Sequence, residues 1–329
     1  MKILYCDTQY YYNIPGTLSM TYEYFARTLR ELGHTVHFFD YLAQTTLDKG
    51  AMNDFFLAIV KNGGYDLVWI TMIADEFIPE VLDEAGRYAV LMAWNSDDDQ
   101  SWENYSSQWC SHFTYMVTTY RHIYDANKGS YPNLLLSQWG CTGRYDGWKV
   151  PKDIDFSFVG KLYPNRGKEI NQIRKRQRIE VYGMGMIPNI RLRGKRWLAK
   201  KLGIIWNSNQ QALATEAEVK SIWNRTRVSF TPLGAWNSSS SQIKARVFDM
   251  GLSGTVMLCD VASELYEYYE PGKEYVEYDN LDECISKVKY LLTHEAERER
   301  IARAYYQRTM SEHLWSKRLG QLIDQMGIS

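Results

Sequence analysis

The chain of 329 residues carries 38 Lys and Arg against 39 Asp and Glu, a net charge of −1, with 45% apolar and 23% charged residues. These are the proportions of a soluble globular protein, and they exclude a disordered, collagen-like or coiled-coil chain. The length calls for two domains. The longest apolar stretches, such as residues 88–94, fall far short of the ~20 residues needed to span a bilayer. The opening segment has one Lys and no long apolar region behind it, so it reads as a strand and not as a signal peptide. Five cysteines, Cys6, Cys110, Cys141, Cys259 and Cys284, are odd in number and scattered. With no CxxC pair among them, neither a disulfide framework nor a zinc site is expected, and the expectation is a reducing, cytoplasmic compartment.

Residues 2–6 (KILYC) predict a short buried strand. Leu18, Tyr22, Phe25, Leu29 and Leu32 then recur at helical spacing, and Gly33 is placed to end that helix. Residues 35–41 predict the next strand, so the chain opens with a β–α–β unit, a parallel sheet and a right-handed crossover. A helix over 52–63, a strand over 65–71, a helix over 78–86 and strands over 87–94 and 114–120 follow. A helix through Tyr124 and the segment 133–140 complete the first half. The Gly-, Pro- and charge-rich stretch 141–153 predicts the linker.

A second alternation then begins. Strands are predicted over 154–160, 179–185, 227–234 and 255–260, and helices over 165–177, 215–226 and 241–254. Amphipathic helices over 281–292 and 295–310 and a last helix over 312–326 close the chain. The fold class is therefore α/β: two Rossmann-like, doubly wound domains facing across a cleft. In such sheets ligands sit beyond the carboxyl ends of the strands.

Aromatic residues are abundant, at 25 Tyr, 11 Trp and 11 Phe. They serve either as stacking surfaces for sugars and bases or as an aromatic-rich core.

Three segments carry candidate chemistry. In the strand–helix loop 158–170, Gly160 allows close backbone approach and the helix offers free N–H groups to an anion. Lys161, Arg166 and Lys168 add positive charge there, a pattern that suits a diphosphate. In the second segment, 241–260, Lys244, Arg246 and Asp249 lie near a helix start, with Arg246 and Asp249 on one face. A cation beside a carboxylate is suited to a phosphate and to ribose hydroxyls. Each segment also has a plainer reading, a solvated basic turn and an ordinary intrahelical pair. The third segment, WNSDDDQSW (94–102), puts an acidic triplet after a strand. That position suits a general base, a metal site or a helix cap. No His pair has metal-ligand spacing; His112 and His122 flank the strand 114–120.

The block ARVFDMGLSGTVMLCD followed by YYEPGKEYVEY (268–278), with FVG…R at 158–166 and the closing helices, resembles the CgeB-type, spore-maturation-like group of the GT-B glycosyltransferases (glycosyl transferase group 1). The resemblance covers most of 87–317 and is most specific over 241–278. The layout is also similar to that of bacteriophage DNA β-glucosyltransferase, which has a basic strand–helix loop and an R-V-W-E motif before an apolar strand. These resemblances imply the GT-B fold, with an acceptor domain at 1–148, a nucleotide-sugar domain at 149–311 and a helix at 312–329 returning to the first domain. They imply a nucleotide diphosphate sugar as donor substrate, a UDP-sugar such as UDP-glucose, with no cofactor and no metal.

By motif, Arg166 and Arg246 would hold the diphosphate, with Gly160, Lys161 and Lys244 beside it. Asp249, standing where the family has the longer Glu, would contact the ribose, and Glu274 would lie near the donor sugar. Asp97 and Asp98 match the Asp that follows the equivalent strand of the phage enzyme. They would act as general base in a direct, inverting transfer.

Residues 161–206 contain 13 Lys and Arg against Glu169 and Glu180, a net +11 that leaves about −12 for the rest. Arg174, Lys175, Arg191, Arg193, Lys195 and Arg196 interleave there with Trp197. Such a segment is either the footprint of a polyanion or a solvated helix face. The acceptor is accordingly a glycan or protein hydroxyl, or a hydroxymethylated base in phage DNA flipped from its stack. A non-catalytic sugar- or nucleotide-binding protein on the same scaffold is the alternative, since fold does not dictate activity. The oligomeric state is not legible.

Overall fold

The computed structural model describes residues 1–10, 18–43, 48–145, 147–160, 162, 164–182, 216–234 and 243–328. They divide into two compact units, Met1–Thr142 with His313–Ser329, and Gly143–Glu312.

The first unit is built on a parallel sheet of β1 (Lys2–Asp7), β2 (Thr35–Asp40), β3 (Leu67–Ile70), β4 (Val90–Asn95), β5 (Tyr115–Thr118) and β6 (Leu134–Leu136), in the order β2-β1-β3-β4-β5-β6. Strands β1, β3 and β4 are almost continuously buried, as parallel strands covered on both faces must be. The first helix is split into a wide π-helical turn, Tyr22–Ala26, and α1 (Arg27–Glu31), and Gly33 turns the chain at φ 89°. Helix α2 (Lys49–Gly63) starts at Asp48, whose carboxylate accepts the Ala51 N–H at 2.8 Å. Helix α3 (Pro79–Ala85) starts on proline, where the missing N–H costs nothing.

Between β4 and β5 periodicity predicts no helix, yet the chain forms a broken one. It runs through α4 (Asp98–Ser101), a π-helical turn Trp102–Ser106, α5 (Ser107–Trp109) and a 3-10 turn Cys110–His112. Pieces of three to five residues are too short to display a 3.6-residue period; buried Trp102, Trp109 and Cys110 hold them to the sheet. Helix α6 (Arg121–Asn127) follows β5.

The second unit carries β7 (Ile154–Val159), β8 (Glu180–Tyr182), β9 (Thr226–Phe230), β10 (Val256–Asp260) and β11 (Val276–Tyr278), all parallel, in the order β11-β10-β9-β7-β8. Each sheet thus has its first strand flanked by the second on one side and the third on the other. The winding reverses between β1 and β3, and again between β7 and β9. Helices α7 (Pro164–Arg174), α8 (Glu216–Arg225), α9 (Ala245–Gly251), α10 (Leu281–Thr293) and α11 (Glu295–Glu312) accompany the second sheet. Of the helix expected over 241–254, the described residues from 243 onward are helical in α9. The chain leaves it through Gly254, at φ 68°. The three-residue β11 is too short to signal itself by alternation.

The chain end belongs to the first unit. Helix α12 (Trp315–Met326) is led in by backbone hydrogen bonds between Cys141 and His313 (2.9 Å) and between Trp315 and Cys141 (2.8 Å). The Trp315 ring meets Phe25 at 4.9 Å, Tyr24 at 5.7 Å, Trp139 at 5.9 Å and Trp94 at 6.1 Å. These rings are buried, so much of the aromatic excess is core. All five cysteines are buried and unbridged. Among the described residues no helix is long and apolar enough to cross a membrane.

Candidate active site

In the second unit, the winding reversal opens the carboxyl ends of β7 and β9, where an open α/β sheet binds ligands. The chain leaves β7 at Gly160, with φ 151°. A Cβ there would stand 3.3 Å from Nη1 of Arg246, so glycine lets that guanidinium lie against the backbone. Arg166, in the first turn of α7, is 8% exposed and lies over the Phe158 ring. Its Nη2 donates to the carbonyls of Pro232 (3.3 Å) and Gly234 (3.4 Å), just past β9. Arg246, in the first turn of α9, donates from Nη2 to the same Pro232 carbonyl at 2.8 Å. Two guanidiniums from different helices therefore converge on one point of the sheet edge. Carbonyl acceptors help to fix their positions, and forked guanidiniums are the preferred partners of phosphate oxygens.

The other residues singled out in this unit are placed as follows. Lys244 is the half-buried residue that precedes α9, and its side chain makes no capping bond. Asp249 is buried and faces Nζ of Lys220 on α8 at 3.2 Å, with both side chains 4–5% exposed. Arg246 and Asp249, expected on one helix face, have different partners. Although three residues apart, Arg246 turns to Pro232 while Asp249 turns to Lys220 on the neighbouring helix. Lys220 is absent from the sequence reading; its one signal is a lysine three residues before buried Trp223 on an amphipathic helix. Glu274 is 9% exposed and accepts the Glu270 N–H at 2.7 Å, closing its own turn. Arg174 ends α7 and Lys175 follows it. Lys161, Arg191, Arg193, Lys195 and Arg196 lie outside the described residues, as do the glycine-containing stretch from 183 and Trp197.

In the first unit, the acidic triplet sits at the carboxyl end of β4. Asp97 is exposed and precedes α4, where acidic residues suit the positive end of a helix. Asp98 is 1% exposed and accepts the Ser106 hydroxyl at 2.6 Å; burial pushes its carboxyl above the usual range. The Asp99 carboxylate, 5% exposed, lies 3.3 Å from Nε2 of His122. The three side chains enter three different surroundings. Among the described residues no group of three or more His, Cys, Asp or Glu is gathered as a metal cage.

A further carboxylate stands where the first sheet reverses. Asp7 ends β1, is 2% exposed, and accepts from the Tyr5 hydroxyl, the Thr21 hydroxyl (2.6 Å) and the Thr8 N–H (2.7 Å). Burial pushes its carboxyl up to about 6. The sequence reading passes over it; the available signal is an apolar strand, KILYCD, that ends on an aspartate.

A glycosyl transferase-like family model matches residues 154–324, more than half of the chain and nearly all of the second unit. The chain belongs to the glycosyl transferase-like family. This glycosyltransferase is similar in structure to HepE of Anabaena in complex with UDP and glucose, at 12% identity and a TM-score of 0.63 over 99% of both chains. A glycosyltransferase of Rickettsia africae is similar at 11% identity and a TM-score of 0.65, over 99% of this chain and 97% of the other. Sucrose-phosphate synthase of Thermosynechococcus elongatus is similar at 11% identity and a TM-score of 0.63, over 99% of both. At such identities the likeness concerns the fold, two parallel-sheet α/β units of the GT-B type. No curated protein matches the glycosyltransferase in sequence.

Proposed function

We propose that the protein transfers a sugar from a UDP-sugar to a hydroxyl acceptor, without a metal ion and with inversion at the anomeric carbon. The observation that supports this best is the convergence of Arg166 and Arg246 on Pro232 at the switch point of the second sheet. Charge grows on the leaving diphosphate as the glycosidic bond breaks, and preorganised cations are most effective there. The reading takes 149–311 as the donor domain, and 1–148 with the helix 312–329 as the acceptor domain. Gly160, Lys161 and Lys244 border the diphosphate, Asp249 the ribose and Glu274 the sugar.

Asp97, exposed at the end of β4, is the general base, with Asp98 buried beside it. Its carboxylate takes the acceptor hydroxyl proton as the oxygen attacks the anomeric carbon and UDP departs. The motif block 241–278 supports a CgeB-type glycosyltransferase, for which the acceptor is a glycan or protein hydroxyl. The basic composition of 161–206 keeps the hydroxymethylated base of phage DNA as the second acceptor class.

A thermal-shift series with UDP-, GDP-, ADP- and dTDP-sugars tests the donor, since a bound ligand raises the midpoint by mass action. The expected result is stabilisation by the UDP-sugar without Mg²⁺ or Mn²⁺, abolished in Arg246→Ala. Stabilisation that requires a metal, or none at all, sinks the reading. With a donor in hand, Asp97→Asn should abolish transfer while leaving UDP affinity unchanged. Salt-sensitive glucosylation of hydroxymethylated duplex DNA would decide for the DNA acceptor.

A further inference from the structure

We infer that Asp260 is the positioning residue of the donor site, acting through the loop on which both arginines rest; the inference builds on the donor reading above. Strands β9 and β10 run in register, with Val228 opposite Val256 and Phe230 opposite Leu258. The Thr231 N–H still donates to the Leu258 carbonyl at 2.8 Å. Continued by two residues, that register sets Pro232 level with Asp260. Strand β9 has ended at Phe230, and Pro232 has no N–H to add to the sheet. The next two N–H groups, of Leu233, buried, and Gly234, exposed, have no backbone acceptor among the described residues, and a buried backbone donor must find another.

Asp260 supplies both. Its Oδ1 accepts from Leu233 at 2.5 Å and its Oδ2 from Gly234 at 3.0 Å. The carboxylate thus holds the N–H side of the loop, and the Pro232 and Gly234 carbonyls receive the guanidiniums. A donor diphosphate meets Arg166 and Arg246 already in place because Asp260 fixes what they lean on. The fit is close: a Cβ at Gly234 would stand 3.3 Å from Asp260 Oδ2.

Calorimetric titration of the full-length protein with UDP tests this. In Asp260→Asn one oxygen acceptor becomes an N–H donor facing a backbone N–H. UDP is expected to bind about tenfold more weakly, the scale of one hydrogen bond to a charged group, at a temperature where the variant is folded. Residues that act through one another are non-additive. The double variant Asp260→Asn with Arg246→Lys, which keeps the charge and weakens binding without abolishing it, should therefore lose less affinity than the sum of the two single losses. A loss of general stability would instead add. Gly234→Ala keeps the carboxylate but crowds it, should weaken UDP in the same direction, and serves if Asp260→Asn does not fold. Wild-type affinity in Asp260→Asn or in Gly234→Ala, or additive losses, overturns the positioning role. Failure of the wild type to bind UDP overturns the donor reading itself.

Discussion

Arg166 and Arg246, eighty residues apart and on different helices, donate to one and the same acceptor, the carbonyl oxygen of Pro232. Two like charges thus lean on one backbone carbonyl, an arrangement that suits the oxygens of a bound diphosphate. That relationship ties the strand–helix loop after β7 to the start of α9, two segments that the sequence presents as separate basic motifs.

Gly160 is the gap that makes the arrangement sterically possible. Gly160→Ala places a Cβ 3.3 Å from Nη1 of Arg246 and strains a backbone at φ 151°. The strain costs about 1–3 kcal/mol, and UDP affinity should fall several-fold as Arg246 shifts. Gly33→Ala is the control: its φ is 89° and open space surrounds it, so it should lose stability but no affinity. Calorimetry beside thermal unfolding separates the two effects. Equal UDP affinities in both variants would count against the gap.

The buried pair of Lys220 and Asp249 should be asymmetric to mutation. Lys220→Met takes the cation away from a carboxylate that is 5% exposed, and should cost about 3 kcal/mol of stability. Adding Asp249→Leu removes the buried negative charge as well and should recover much of that loss. Denaturant midpoints of the three proteins give the answer, and a double variant no more stable than Lys220→Met would contradict it.

Asp7 predicts a pH dependence of definite sign. Its folded-state pKa is pushed up to about 6, above that of an exposed aspartate, so the folded protein holds this proton more tightly than the unfolded chain. The stabilising contribution is complete below pH ~4 and is lost as pH rises through 6. Asp7→Asn, neutral throughout, lacks that slope. The stability of the wild type relative to the variant should decline by about 2 kcal/mol between pH 4 and 7. Urea unfolding across that range measures it; parallel curves would show that Asp7 does not titrate there.

Trp315 joins the chain terminus to the first sheet. Its ring is 1% exposed among Tyr24, Phe25, Trp94 and Trp139. Trp315→Ala should cost about 3–5 kcal/mol. UDP affinity, read at a temperature where the variant is still folded, should stay the same. A change in melting temperature of only a degree or two would show that the site collapses around the cavity.

Much of the fold was legible because its strands are short, apolar and separated by amphipathic helices. KILYC, YDLVWIT and TVMLCD need only period and composition to be read. The broken helix from Asp98 to His112 and the edge strand β11 were not legible, because neither runs long enough to display its period. Of the candidate site, Arg166 and Arg246 were reached from a basic strand–helix loop and from a family motif. Lys220 and Asp7 were missed, and Asp260 was reached only as the acidic residue that closes the family motif, without a role. Each takes its meaning from a partner on another element.

The sequence alone therefore determined the α/β class, the two parallel sheets and the basic character of the loop after β7. These follow from periodicity, turn residues and local charge, which act over a few residues. Only the tertiary structure decided that Arg166 and Arg246 share Pro232, that Asp249 faces Lys220 and not Arg246, and that Asp260 clamps the loop between them. Those are contacts between groups tens of residues apart, made only once chain winding brings the strand ends together. No local pattern of residues encodes which buried charge will meet which.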